Sequence, residues 1–185
     1  LDGEVGALYK FTADGTPLAF TGSNPNIEGN KLTGLSETEG IRQVAVDSAS
    51  HRIYVTEKSA IRSFEADGEP ANFSAGPGAG TNAIPGFEQA SGVAVDVNGA
   101  IYASDITSGT VSIYAPTGAL LTSFAISGPR NVAIASGGAV YVATNSQGIR
   151  KFIPSEFPLT GATTYLANPF IPPSATFPRI GVHPL

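Results

Sequence analysis

Residues 92–124 decide the fold. They read Gly92-Val-Ala-Val-Asp96, then Ala100-Ile-Tyr-Ala-Ser-Asp105, then Thr110-Val-Ser-Ile-Tyr114, then Leu120-Leu-Thr-Ser-Phe124. Four short runs rich in β-branched and aromatic residues are separated by turn residues, which is a strand composition. The first run is continuously small and apolar, as in a strand covered on both faces. Asn98-Gly99 separates the first two runs and Thr117-Gly118 the last two, the dipeptides that tight hairpins require. The unit therefore predicts a four-stranded antiparallel meander.

The same unit recurs on both sides. Upstream stand Gln43-Val-Ala-Val-Asp47, Arg52-Ile-Tyr-Val-Thr56, Ala60-Ile-Arg-Ser-Phe64, Asp67-Gly68 and Pro70-Ala-Asn-Phe73. Downstream stand Asn131-Val-Ala-Ile-Ala135, Ala139-Val-Tyr-Val-Ala143, Gly148-Ile-Arg-Lys-Phe152 and Thr163-Thr-Tyr-Leu166. The anchors Val44, Val93, Val132 and Ile180 are spaced 49, 39 and 48 residues apart. Repeats of that length, each a four-stranded sheet, predict an all-β protein: a β-propeller, as a partial ring of blades. No sustained helical period competes with this reading. The expected organisation is one propeller domain. It has complete blades at 41–75, 92–125 and 129–167, and a partial blade at 1–22 supplying a third strand at 7–11 and a fourth at 17–20. The first strand of a further blade falls at 177–185. A chain that begins with Leu and contains no Met is expected to be a piece of something longer.

The ladder Val-Ala-Val-Asp, Gly-Ala-Ile-Tyr-Ala-Ser-Asp, Thr-Val-Ser-Ile-Tyr, Thr-Gly at residues 92–118 resembles the NHL repeat, and residues 41–75 and 128–166 resemble it more loosely. The resemblance implies a six-bladed ring of the TolB-like and gluconolactonase-like group. That group holds metal-dependent hydrolases and lyases as well as non-catalytic extracellular or envelope modules. Residues 17–22 and 29–34 look like repeat regions of bacterial surface or secreted proteins. An extracellular or cell-envelope location is the corresponding expectation.

Composition narrows the chemistry. Of 185 residues, 42% are hydrophobic and 14% charged, which suits a folded chain. With no Cys, disulfides, thiol catalysis and thiolate metal sites are excluded. A net charge of −5 without a Lys/Arg run argues against nucleic acid as a partner. No apolar run reaches the ~20 residues that span a bilayer, so membrane insertion is not expected.

Four groups of residues invite a functional reading. Asp105, with Glu57 and Asn145 at matching positions, follows the second strand. Asp47 and Asp96 follow the first, where the other units have Ala135 and His183. Each carboxylate reads as the organiser of its own turn. Calcium would need six to eight oxygens converging on one point, and these lie on different blades. His51 and His183 read as turn residues, because their spacing is not that of a zinc site. No catalytic residue, metal site or cofactor is assigned. The metal-holding Glu, Asn and Asp set of the gluconolactonase-like enzymes does not map onto this sequence. Arg42, Arg130 and Arg179 each precede an innermost strand, where a propeller opens on its central channel. They are the candidate ligand-binding residues, for an anionic small molecule, a glycan or a protein. The long connections at 22–40, 76–91 and 168–178 fall on the same side and carry Phe87, Phe170, Ile171 and Phe177. The function expected is a non-catalytic binding or structural platform. The other reading is a metal-dependent hydrolase or lyase with its site at the channel mouth.

Overall fold

The computed structural model describes residues 6–35 and 40–169. Arg179, His183, the strand expected at 177–185, and Phe170, Ile171 and Phe177 lie outside the described residues. The fold is all-β: among the described residues there are three four-stranded antiparallel sheets and one three-stranded sheet, the blades of a partial β-propeller. The first complete sheet runs β4 (Val44–Val46), β5 (Ile53–Glu57), β6 (Ala60–Phe64) and β7 (Ala83–Pro85). The second runs β8 (Ala90–Val95), β9 (Ile101–Asp105), β10 (Thr110–Tyr114) and β11 (Leu120–Ala125). The third runs β12 (Pro129–Ile134), β13 (Val140–Thr144), β14 (Ile149–Pro154) and β15 (Tyr165–Pro169). The three-stranded sheet has the order β1 (Leu8–Tyr9), β3 (Lys31–Leu32), β2 (Ile27–Glu28).

The core lies in the gaps between successive sheets, and strand alternation builds it. Side chains along a strand point to opposite faces. Ile53 and Val55 therefore join Leu8, Phe20 and Leu32 on one side of their sheet. Tyr54, between them, joins Val93, Ile101 and Ala103 on the other. The second sheet repeats the rule: Ile101 and Ala103 face back, and Tyr102 faces forward onto Val132, Val140 and Val142. Phe124 closes this last gap, 4.4 Å from Phe152 and 4.8 Å from Tyr165 between ring centres. Each large apolar side chain buried this way stabilises the stack by about 1.5–3 kcal/mol.

Two expected fourth strands are corrected. The outer partner of β6 is Ala83–Pro85, not 70–73, and the outer partner of β1 is Lys31–Leu32, not 17–20. Pro70 and Pro17 make only single bridges, to Phe64 and Phe11. Proline has no N–H to continue a ladder, so at both places the chain leaves the sheet and returns later. In the second sheet Leu120 stands at this position, and the strand runs on through Ala125.

The departing chain is reused as a latch on the next sheet. Gly22 N–H donates to the Asp67 carbonyl at 2.9 Å, and Asn24 Nδ2 donates to the Gly68 carbonyl at 2.9 Å. One sheet on, Ser74 and Ala75 N–H both donate to the Thr117 carbonyl. The Asp67-Gly68 and Thr117-Gly118 turns thus receive the loop of the preceding sheet. Gly118 has φ +92°, and a Cβ there would lie 2.8 Å from the Ala75 carbonyl oxygen and 2.9 Å from Phe73 Cβ.

Candidate functional site at the channel mouth

The innermost strands β4, β8 and β12 line a cleft of about 230 Å³ walled mainly by valine, alanine and isoleucine. In β8 and β12 the ladder is interrupted at the start, between Ala90 and Gly92 and between Pro129 and Asn131. Such a bulge leaves a residue out of register and its backbone groups in need of partners. Hydroxyls on the second strands supply them. Thr56 Oγ1 accepts from Arg42 N–H at 3.2 Å and from Gln43 N–H at 2.8 Å. Ser104 Oγ donates to the Arg130 carbonyl at 3.0 Å. Buried Ser91 donates to the Pro129 carbonyl at 2.9 Å, and its Oγ lies 3.1 Å from Ser104 Oγ.

The residue before each inner valine, Gln43, Gly92 and Asn131, forms the mouth. Gln43 Oε1 accepts from Val93 N–H at 3.2 Å and from Asn131 Nδ2 at 3.0 Å, so one side chain joins all three sheets. The equivalent residue between them is Gly92. A Cβ there would lie 2.7 Å from the Arg130 carbonyl oxygen and 2.9 Å from Asn131 Cα. Sequence reading missed this clasp. Its signal is the column Gln43, Gly92, Asn131: two amides flanking the one residue that lets backbones approach closely.

Arg42 and Arg130 directly precede the two clasp residues in sequence, and neither is among the residues that line the cleft. Arg42 is exposed and has no ion-pair partner among the described residues. Arg130 is partly exposed, and its Nε donates to Asn145 Oδ1 at 2.5 Å. Ser91 takes the same place in the sheet between them.

The carboxylates are engaged in turns. Asp105, almost fully buried, accepts from Glu88 N–H at 2.7 Å on Oδ2. On Oδ1 it accepts from Thr107, Gln89 and Ser108 N–H at 3.0, 3.2 and 3.2 Å. It ties its own turn to the loop entering its sheet. Glu57, also buried, lies 3.6 Å from Arg62 Nη1. Asp47 and Asp96 are at the far ends of their strands from the mouth. Asp96 accepts from Asn98 and Ala100 N–H at 2.8 and 3.0 Å and from the Tyr102 hydroxyl at 3.1 Å. Burial pushes the Tyr102 phenol up, and the Asp96 charge adds to it. Asp47 accepts from Ala49 and Ser50 N–H and from the Ser50 hydroxyl. Burial works to raise its carboxyl, but these hydrogen bonds outweigh burial and hold it below its ordinary value. His51, exposed at φ +61°, donates its N–H to the Asp47 carbonyl. Among the described residues, no three His, Cys, Asp or Glu side chains come together as a metal would require. No helix there is long and apolar enough to cross a membrane. Phe87 packs in the gap between the first two complete sheets, 6.3 Å from the Tyr114 ring.

This is the architecture of a β-propeller, and solved structures bear that out. The chain is similar to virginiamycin B lyase from Staphylococcus aureus, with TM-score 0.59 and 14% identity over 90% of this chain and 50% of that one. It is similar to a streptogramin B lyase, with TM-score 0.57 and 13% identity over 91% of this chain and 56% of that one. It is also similar to the hydrazine synthase of Kuenenia stuttgartiensis, with TM-score 0.52 and 14% identity over 64% of this chain and 34% of that one. The chain thus spans between 34% and 56% of these proteins' lengths. At these identities the likeness is one of fold. No protein-family profile matches the sequence, and no curated protein matches it.

Proposed function

We propose that the chain is part of a non-catalytic, NHL-like propeller module of six blades. It acts as a binding platform in a secreted or cell-envelope protein of bacterial type, and the channel mouth takes an anionic group of a small molecule, glycan or protein. One contrast carries this reading. The buried carboxylates near the mouth already hold backbone N–H groups or Arg62, whereas Arg42 stands exposed beside the Gln43–Asn131 clasp. A guanidinium at the rim of a cleft attracts anions and binds them by charge-assisted hydrogen bonds. Titration calorimetry with inorganic phosphate and with a sulfated oligosaccharide tests it. Arg42→Ala with Arg130→Ala is expected to weaken binding about tenfold or more, the loss of roughly 1.4 kcal/mol per decade. Lys31→Ala, on the three-stranded sheet, is expected to leave it unchanged. Equal affinities in all three proteins overturn the reading.

The second reading is a metal-dependent hydrolase or lyase. It is favoured by the fold likeness to two lyases, along 90% and 91% of this chain. Turnover of a lactone or of virginiamycin B that disappears on chelation would establish it.

A further inference from the structure

Among the described residues, strand β1 is paired on one side only. It bonds to β3 and lies at the border of its sheet, whereas its counterparts β6, β10 and β14 have a strand on each side. Beside this free border a cleft of about 430 Å³ runs between β1 and β4, with Leu8, Phe11, Phe20, Val44, Val46 and Ile53 on its walls. The same repeat positions differ in exposure between the sheets. Val44 is 36% exposed, whereas its counterparts Val93 and Val132 are each 1% exposed. Phe11 is 53% exposed, whereas Phe64 is 2% exposed.

The molecule also states what covers these positions elsewhere. Val93 packs with Tyr54 of the preceding second strand, and Val132 with Tyr102. Phe64 is paired across its sheet with Ile53, Tyr114 with Ile101, and Phe152 with Val140. In each complete sheet, then, the residue equivalent to Phe11 faces a β-branched partner, and in the first two a tyrosine from that same partner strand packs with the next sheet's inner valine. We propose that the cleft beside β1 is the seat of a two-stranded β-hairpin of this same repeat. Its second strand carries Ile-Tyr or Val-Tyr and pairs with β1; its first strand is of the Val-Ala-Val type and lies on the channel side. The interface is a continuation of the two sheet-to-sheet interfaces already in the molecule. An arbitrary apolar peptide lacks the register that sets the tyrosine on Val44 and the β-branched residue opposite Phe11. The surface uses strand addition at an open sheet border, with main-chain bonds for affinity and alternate side chains for specificity.

The test attaches residues 90–105, the molecule's own β8–β9 hairpin, to the N-terminus of the full chain through a Gly-Ser linker. Tethering raises the effective concentration to about the millimolar range. The comparison protein carries the same residues in scrambled order. Backbone alternation directs the Lys10 N–H to β3, where it bonds to the Asn30 carbonyl, so the Tyr9 and Phe11 N–H groups point to the free border. Hydrogen exchange at these two amides is expected to slow at least tenfold with the native hairpin and not with the scrambled one. Phe11→Asp should abolish the protection, and Leu120→Asp, on an exposed position of β11, should preserve it. Equal exchange in the native and scrambled fusions overturns the proposal, as does protection that survives Phe11→Asp.

Discussion

Gln43 Oε1 and Asn131 Nδ2 meet at 3.0 Å although 88 positions separate them in the chain. With the Val93 N–H on the same oxygen, the contact fixes three sheets to one another at the rim of the channel. Gln43→Ala removes the acceptor of two partly buried donors. The expected cost is about 1–3 kcal/mol, read as a lower denaturant midpoint at unchanged slope. Gly92→Ala is expected to cost about 1–3 kcal/mol by a different route. Its Cβ would press on the Arg130 carbonyl and Asn131 Cα, which are backbone and cannot rotate away. A Gly92→Ala protein as stable as the parent would show that the sheets do not approach this closely.

The turn glycines allow a sharper comparison. Gly118 and Gly15 occupy the same turn in two sheets, at φ +92° and +86°. Alanine is strained at both. At Gly118 it also meets Ala75 and Phe73 of the latch, while at Gly15 nothing lies within 4 Å. Gly118→Ala is therefore expected to destabilise by about 1–3 kcal/mol more than Gly15→Ala, the overpacking increment. Thermal or urea unfolding of the two variants measures it. Equal losses would mean that the latch yields freely.

These cases show why the sheets were legible and the mouth was not. Val93-Ala-Val95 and Ile101-Tyr-Ala103 carry the period of two and the small inner strand in their own letters, so the meander follows from local chemistry. The strands that pair outward from β1 and β6, Lys31–Leu32 and Ala83–Pro85, are two or three residues long and weak in pattern. Pro17-Leu-Ala-Phe20 and Pro70-Ala-Asn-Phe73 look more like strands. What rules them out is the missing proline N–H, and what gives Phe73 its role is the next sheet's turn, a contact across more than 40 residues. Gln43 is likewise unremarkable in its local sequence. Its meaning depends on Gly92 and Asn131 arriving at the same ring position. Arg42 and Arg130 stand out in the sequence because each precedes an innermost strand, which its own letters mark, and Arg179 lies outside the described residues.

Asp47 gives a pH dependence with a definite sign. Its carboxyl is held below its ordinary value in the folded protein. The stabilisation from its hydrogen bonds is thus fully present above the unfolded-state value of about 3.9 and is lost as pH falls through the lower folded value. Asp47→Asn has no such titration. The urea midpoint of the parent is expected to fall more steeply than that of Asp47→Asn between about pH 5 and pH 2. Parallel profiles would show that the carboxylate holds no special position.

Asp105 bears most directly on whether the mouth is a metal site. Its two oxygens receive four backbone N–H groups, from Glu88 and Gln89 on the incoming loop and from Thr107 and Ser108 on its own turn. The residue is 3% exposed, so water cannot readily replace it. Asp105→Ala leaves several donors unpaired and should cost about 3 kcal/mol, more than a single lost neutral hydrogen bond. Asp105→Asn keeps one acceptor oxygen but sets an amide N–H₂ against the Glu88 N–H, so an intermediate loss of about 1–2 kcal/mol is expected. A carboxylate used in this way offers little to a cation. Chelation should leave the melting temperature of the parent unchanged, and millimolar calcium should not raise it. A calcium-dependent rise that disappears in Asp105→Asn would reverse the assignment and move the balance toward the metal-dependent enzyme.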